Sequence, residues 1–419
     1  MMFSFARRLS LSDLTYAASG YRKNHPNQLV CQLVVQGIGR IPEHRMQDAV
    51  AEVVQYCPIV RARLKGFWFA KYWSSGGPLP SVRTILHDWN GQCQDQLAFI
   101  DTPLDLLVGP VAEIVQVVGR NTYLVFRVHH AVTDGVGLLE FALAFFKVLN
   151  RDKPEYYDSN VTLENMPPGN LAAIPDAVTA ARIPYSLRNL ENDYMDRARL
   201  WRRITLPGND KKILLKTMLA ISSLARGKTS DPVRIHMPVS LRRHVPAERS
   251  LANLIGMLRI DVAATDSDKE LVRKIKQAMV NKQELPIAVN SVTSKLAFLF
   301  PLMLLHLLEK IAIKKLLQRP KFCCSGTTSH VGTVQLQLLS GEYFRAQSAF
   351  GIPVPPLGTP LMAVIMSNEC LTEIVLSANK TLISETEMDD LVEKLSLAIA
   401  GYGSRPVISK APLQPALSA

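Results

Sequence analysis

Short apolar runs and helically spaced apolar positions alternate along this chain, which predicts an α/β protein built from strand and helix units. Residues 28–36 form a near-continuous apolar run closed by Gly37, the pattern of a buried strand. After Pro42, the positions Met46, Val50, Val53, Val54 and Cys57 recur at helical spacing until Pro58 stops the helix. Residues 59–64 then read as extended, and 66–90, with Ser74-Ser75-Gly76-Gly77-Pro78, as a turn-rich excursion. Two further strands, 111–118 and 122–128, are joined by the hairpin-length loop Gly119-Arg120-Asn121. Residues 138–149 are apolar nearly all round, as a buried helix is.

The texture changes over 151–187, where Pro154, Pro167, Pro168, Pro175 and Pro184 interrupt a weak periodicity. That stretch reads as a linker, dividing the chain into an N-terminal lobe (1–187, linker included) and a C-terminal lobe (188–419). The second half is expected to hold a helix at 211–224 and strands at 233–239, 334–339, 361–366 and 371–377. Ser267-x-x-Glu270 is a capping box opening a helix with Leu271, Val272, Ile275 and Met279 inward. Ser384-x-x-Glu387 opens the last helix, with Met388, Leu391, Val392, Leu395 and Ile399 inward and Gly401 suited to its C-terminal cap. Residues 404–419 read as a loose tail. No close internal repeat is visible, yet the layout predicts two similar lobes of mixed sheet and helices, with the large cleft at their seam.

Composition narrows the class. With 419 residues the chain exceeds one ordinary core, and 47% hydrophobic and 20% charged residues are globular values. Cys31, Cys57, Cys93, Cys323, Cys324 and Cys370 show no C-x-x-C, so neither a disulfide framework nor a metal site is expected, and a cytoplasmic protein with reduced thiols is the simplest reading. The N-terminal segment has no apolar core of signal-peptide length. The apolar stretch 296–308, interrupted by Pro301, falls short of the ~20 residues that span a bilayer. It continues into the basic, amphipathic 309–319, and reads either as a buried or lid-like helix pair or as a peripheral membrane contact. A net charge of +12 favours anionic partners. Nucleic acid is not expected, because zinc-finger spacing, RNP-like aromatics and dense Lys/Arg runs are absent.

Candidate chemistry concentrates in residues 129–135, His-His-Ala-Val-Thr-Asp-Gly, where the 122–128 strand ends and the chain turns toward the 138–149 helix. A strand end beside a core helix is a rigid place from which to present an imidazole. Three blander or competing readings stand beside a catalytic one. The histidines could be satisfied core residues. His129, His130 and Asp134 could bind a metal, although adjacent strand residues point to opposite faces. Cys323 or Cys324 could pair with His330 as a nucleophile, although no local signature supports it; the serine-hydrolase G-x-S-x-G is absent.

The H-H-x-x-x-D-G stretch resembles the active-site motif of the CoA-dependent acyltransferase superfamily. That group includes chloramphenicol acetyltransferase, nonribosomal peptide synthetase condensation domains, plant BAHD acyltransferases, wax ester synthases and mycobacterial polyketide-associated acyltransferases. Collinear stretches extend the resemblance over most of the chain. Cys57-Pro58-Ile59-Val60-Arg61-Ala62-Arg63-Leu64 is similar to the family's hP-x-LR segment, and Pro103-Leu104-Asp105-Leu106 with Gly109-Pro110 to its F-D-L…G-P-L segment. Pro238-Val239-Ser240-Leu241-Arg242 followed by Asn253-Leu254-Ile255-Gly256 resembles the P-V-N-L-R…G-N region. The plant branch's D-F-G-W-G is absent, and Thr328-Ser329-His330-Val331-Gly332 carries His330 where relatives have Asn.

The resemblance implies two chloramphenicol acetyltransferase-like lobes with an active site at the seam and a through-channel, thioester entering from one side and acceptor from the other. It implies acyl transfer from acyl-CoA or a phosphopantetheine thioester, including one on an acyl carrier protein, to a hydroxyl or amine acceptor. The acyl-CoA phosphates and an acidic carrier both suit the positive charge, and the apolar 296–308 stretch hints at a lipophilic acceptor. No tightly bound cofactor and no covalent enzyme intermediate are expected. The resemblance places the general base on His130, a role suited to an imidazole with an ordinary pKa of ~6.5. Asp134 either orients His130 directly or, as the family suggests, pairs with an arginine, for which Arg242 is the candidate. Gly135 is expected to permit a turn or close backbone approach, His129 to be packed, and His330 to stand in the second-lobe loop. The alternative is a related but silent module that binds a carrier protein or an acyl chain.

Overall fold

In the computed structural model, residues 5–401 are described apart from 20–28, 67, 69, 95–96, 171, 173–174, 185–198, 228–229, 246–248, 287–291, 319–321 and 356–358. The expected tail at 404–419, and the last residues of the expected linker, lie outside the described residues.

Two mixed sheets carry the fold. The first half supplies β1 (Ala6–Arg8), β2 (Val30–Gly39), β3 (Arg63–Lys65), β4 (Tyr72–Ser74), β5 (Ser81–Leu86), β6 (Ala112–Val118) and β7 (Thr122–His129). Its helices are α1 (Leu11–Ser19), α2 (Glu43–Val53) and α3 (Gly135–Leu149). The second half supplies β8 (Arg199–Pro207), β9 (Arg234–Ser240), β10 (Ile255–Asp261), β11 (Gly326–Thr333), β12 (Phe344–Ile352), β13 (Met362–Ser367) and β14 (Leu371–Asn379). Its helices are α4 (Ile213–Arg226), α5 (Asp268–Val280), α6 (Val292–Ala297), α7 (Leu302–Gln318) and α8 (Glu385–Gly401). One sheet runs β12-β2-β7-β6-β5, the other β10-β9-β11-β13-β14-β8, and β1-β4-β3 form a small third sheet.

Period-two alternation on β7 explains the layering. Leu124, Phe126 and Val128 point into a core with α2 and α3. Tyr123 and Val125 point the other way, into a core shared with Trp201 of β8, Phe350 of β12 and Val375 of β14. The two sheets thus pack back to back, and α4, α5 and α8 cover the outer face of the second. A buried polar weld crosses the same layer. Arg203 holds Glu373 at 2.6 Å, and the Arg203 guanidinium also donates to Gln36 and Ser348. Burial would raise the pKa of the Glu373 carboxyl, but Arg203, Ser348 and Thr205 together hold it below the usual range.

Several expectations change. β12 comes from the second half but completes the first sheet against β2, so one strand of 188–419 belongs structurally with 1–187. Residues 334–339, expected as a strand, form a one-turn helix at Leu336–Leu339, which puts Leu336 and Leu339 on one face against the α3 core. The strand lies earlier, at β11. The 66–90 excursion contains β4 and β5; β5 is a half-buried edge strand whose apolar signal is correspondingly weak. Residues 59–64 divide into a helical turn at Pro58–Arg61 and the start of β3. The expected linker is tied down, with Val161, Leu163 and Met166 packed against Leu241, Ala252, Leu254 and Leu285. The 296–308 stretch is a helix pair, α6 and α7, separated at Pro301.

The β12–β2 seam leaves no room for a side chain at Gly37, where a Cβ would overlap the Arg345 carbonyl and the Phe344 ring. Gly37→Val is expected to lower stability by about 1–3 kcal/mol, read as a fall in the denaturant midpoint, with faster proteolysis around β12. An unchanged midpoint would contradict this seam.

Candidate active site

β7 is buried at every position and lies between β2 and β6 at the centre of its sheet. Its last residue, His129, still donates its backbone N–H to Val111, and the His130 N–H goes to the Leu29 carbonyl at 2.7 Å. The chain then turns through Ala131–Asp134 into α3, whose N-terminus Asp134 caps by accepting the Gly137 N–H at 2.8 Å. Both histidines are therefore fixed by sheet bonds on one side and a capped helix on the other.

His129 is fully buried, and its Nδ1 accepts the Ala131 N–H at 3.0 Å. Burial first, and the neighbouring His130 second, push its pKa down to about 3, so it stays neutral. This is the packed role expected of it.

His130 stands at the seam of the two halves. Its Nδ1 lies 3.0 Å from Asn253 Oδ1, while Asn253 Nδ2 donates to the His130 carbonyl at 2.6 Å. That second bond orients the amide, so Oδ1 must face the ring as an acceptor and Nδ1 must carry the proton. Nε2 then holds the lone pair. Tyr16 of α1 stacks on one face of the imidazole, ring centroids 3.9 Å apart and planes within 10°. Burial lowers the His130 pKa; the carbonyls of His130 and Thr133, the Asp134 charge and Asn253 oppose that shift in part.

Asp134 is fully buried. Beyond the Gly137 N–H on Oδ1, its Oδ2 accepts the Leu254 N–H at 2.8 Å and Arg242 at 2.9 Å. Both oxygens are committed, and none of these bonds goes to His130; the geometry is that of an anchor, not of a triad aspartate. Arg242 completes the clamp, donating to the Ser250 and Ala252 carbonyls at 3.1 and 2.9 Å. The loop that presents Asn253 is thus stapled to the motif, and the predicted Asp134–Arg242 pair is the staple.

Gly135 corrects an expectation. A Cβ there would meet nothing within 4 Å, and its backbone is not left-handed. The sterically required glycine is Gly137, where a Cβ would overlap Thr133 Oγ1 and the Leu251 carbonyl. His330 is exposed beside a bulge in β11 and contributes none of the described contacts of His130 or Asp134. Cys323 and Cys324 converge with His236, whereas His330 lies about 20 Å further along the chain at strand rise.

Two contributors were missed in the sequence, and both had signals. Ser10 and Asp13 cap α1 reciprocally, the Ser10 N–H going to Asp13 and the Asp13 N–H to Ser10 Oγ; Asp13 also accepts Trp73 Nε1 and pairs with Arg7. That box announces the helix that carries Tyr16. Asn253 belongs to the Asn253-Leu254-Ile255-Gly256 stretch that resembles the family's G-N region, a signal that marks the loop without naming a role for the side chain.

No family model matches the sequence, and no curated protein matches it. Among solved structures, the fold is that of condensation domains, the two-lobed chloramphenicol acetyltransferase-like architecture. The condensation domain from Monacolin K polyketide synthase MokA aligns with TM-score 0.63 and 12% identity, over 95% of this chain and 97% of that one. The starter condensation domain of rhizomide synthetase RzmA aligns with TM-score 0.61 and 14% identity over 98% and 100%. A variant of it in complex with C8-CoA aligns with TM-score 0.63 and 13% identity over 97% of each. The epimerization domain from the third module of tyrocidine synthetase B gives TM-score 0.56 and 14% identity over 96% and 97%. At such identities the likeness is one of fold.

Asp134→Ala removes the fully buried carboxylate that pairs with the half-buried Arg242 and accepts two backbone N–H groups, and should cost on the order of 3–5 kcal/mol; Gly137→Ala should also lower the unfolding midpoint, while Gly135→Ala should not lower it. Equal effects of the two glycine substitutions in thermal unfolding would refute this assignment of space.

Proposed function

We propose that the protein transfers an acyl group from a thioester to a hydroxyl or amine acceptor, with His130 as general base. The carrying observation is the Asn253 bond to Nδ1, which leaves the Nε2 lone pair for a substrate proton. Nε2 takes the acceptor's proton as its oxygen or nitrogen attacks the thioester carbonyl. The tetrahedral adduct collapses, the C–S bond breaks, and the imidazolium returns the proton to the departing thiolate. Depression of the His130 pKa by burial keeps the base unprotonated at neutral pH. Acyl-CoA as donor is supported by the C8-CoA complexes of a domain with this fold and by the net charge of +12; a carrier-protein thioester presents the same reacting carbonyl.

A lipophilic acceptor and a peripheral contact with an anionic bilayer are supported by α6 and α7. Leu299, Met303, Leu307, Leu308 and Ile311 are exposed there beside Lys310, Lys314 and Lys315, pairing an apolar face with positive charge. α7 rests on α1, with Ser19 donating to Glu309 at 2.5 Å, so this face lies one helix away from Tyr16 and His130. No helix among the described residues is long and apolar enough to cross a membrane.

A panel of acyl-CoA and carrier thioesters, assayed for acceptor-dependent thiol release, tests the reaction. His130→Ala should lower turnover by about 10²–10⁴, and the acid limb of wild-type kcat/KM should fall below the ordinary imidazole pKa of ~6.5. Unchanged turnover in that variant would rule out the base, and no turnover with any donor would favour a silent binding module.

Co-sedimentation with phosphatidylglycerol vesicles should be salt-sensitive and should drop roughly tenfold or more in Leu307→Glu, because one buried leucine contributes about 1.5–3 kcal/mol. Equal binding to neutral phosphatidylcholine vesicles, or no loss in the variant, would contradict the contact.

A further inference from the structure

We propose a second site in the C-terminal half: His236, Cys323 and Cys324 form a three-donor site for a thiophilic divalent ion of the zinc type. A ring nitrogen of His236 and the sulfurs of both cysteines lie within 4.8 Å of one another. Tetrahedral zinc bonds sulfur at about 2.3 Å and imidazole nitrogen at about 2.0–2.1 Å, which sets its donors about 3.5–3.8 Å apart. Contraction by about 1 Å is within reach of side-chain rotation, and Cys323 is exposed.

The fold holds the donors in place. On one side of the cysteine pair, Phe322 forms a bridge with Ala180, whose N–H reaches the Phe322 carbonyl at 2.8 Å. On the other, the Ser325 N–H donates to the Arg234 carbonyl at 2.7 Å, and Ser325 Oγ accepts the Arg234 N–H. The dipeptide is clamped at both ends, to Ala180 on one side and to Arg234 of β9 on the other. His236 sits on that strand between Arg259 of β10 and Thr327 of β11. A site on rigid strands with one exposed donor has both preorganisation and an entry path, leaving water as a fourth ligand.

The donor set chooses the ion. Two thiolates and an imidazole suit zinc or a similarly soft cation, whereas calcium and magnesium require oxygen ligands. A disulfide within the pair is disfavoured, because adjacent Cα atoms are about 3.8 Å apart and disulfides usually need about 4.4–6.8 Å. The nearby cations do not oppose binding. Arg234 is occupied by both oxygens of Asp261 at 2.5 and 2.8 Å, and two thiolates with a divalent ion make a neutral group beside Arg259. The spacing rules that predicted no metal site consider neighbours in sequence; these ligands meet only because β11 lies parallel to β9. His236 stands about 20 Å along its strand from Arg242, so the site is separate from the one at His130.

The test is an anaerobic titration of the reduced, metal-free full chain with Co²⁺. A thiolate-to-cobalt charge-transfer band saturating at one ion per chain, bleached by added Zn²⁺, is expected, with a rise in the unfolding temperature on Zn²⁺ binding. Cys323→Ser and His236→Asn should each weaken binding at least tenfold while keeping the wild-type circular dichroism, and Cys370→Ser, at an exposed cysteine elsewhere, should titrate like wild type. Absence of the band, or its persistence at wild-type affinity in Cys323→Ser and His236→Asn, would overturn the site.

Discussion

One buried carboxylate determines how the two halves meet. Asp134 cannot be taken out of water uncompensated, and its three donors come from three places: the first turn of α3, the backbone of Leu254 and the guanidinium of Arg242. Satisfying that charge forces the 250–254 loop of the second half onto the strand-to-helix turn of the first. Thr133 reinforces the closure by donating to the Leu251 carbonyl at 2.5 Å, and Gly137 permits it by lacking a side chain.

The properties of His130 follow from this closure. Once the loop is docked, Asn253 reaches both the ring and the carbonyl of His130, which fixes the tautomer. Tyr16 fixes the ring plane from a different helix, itself positioned by the Arg7–Asp13–Trp73 cluster. The His130 imidazole is thus held by elements of both halves, each held in turn by a buried polar contact. Such rigidity is what the proposed proton transfer and attack on a thioester would require.

The surroundings of His130 were largely legible in the sequence. β7, α3, the histidine pair and the Asp134–Arg242 partnership follow from strand and helix patterning and from the collinear resemblance, as does the reciprocal capping box of Ser384 and Glu387; at Ser267 only the Glu270 N–H bond forms, the Glu270 carboxylate going to Arg273 instead. What escaped has physical reasons. β8 carries Arg199, Arg202 and Arg203 within its run, so its apolar signal is diluted by charges that the fold later neutralises. β12 crosses to the first sheet through tertiary packing that no local pattern records. Residues 334–339 alternate like a strand, but the Leu336–Leu339 spacing serves a single helical turn. Gly135 and Gly137 are indistinguishable as letters; the positions of Thr133 Oγ1 and the Leu251 carbonyl separate them. The convergence of His236 with Cys323 and Cys324 likewise depends on strand order, not spacing.

The inter-half contact through Asn253 sets which nitrogen of His130 carries the proton. Nitrogen-15 and proton correlation spectra of the imidazole rings, assigned with His130→Ala, measure it directly. A neutral His130 with its proton on Nδ1 and an unprotonated Nε2 at pH 7 is expected, a pattern lost in Asn253→Ala. A proton on Nε2, or a tautomer unaffected by removing Asn253, would contradict it.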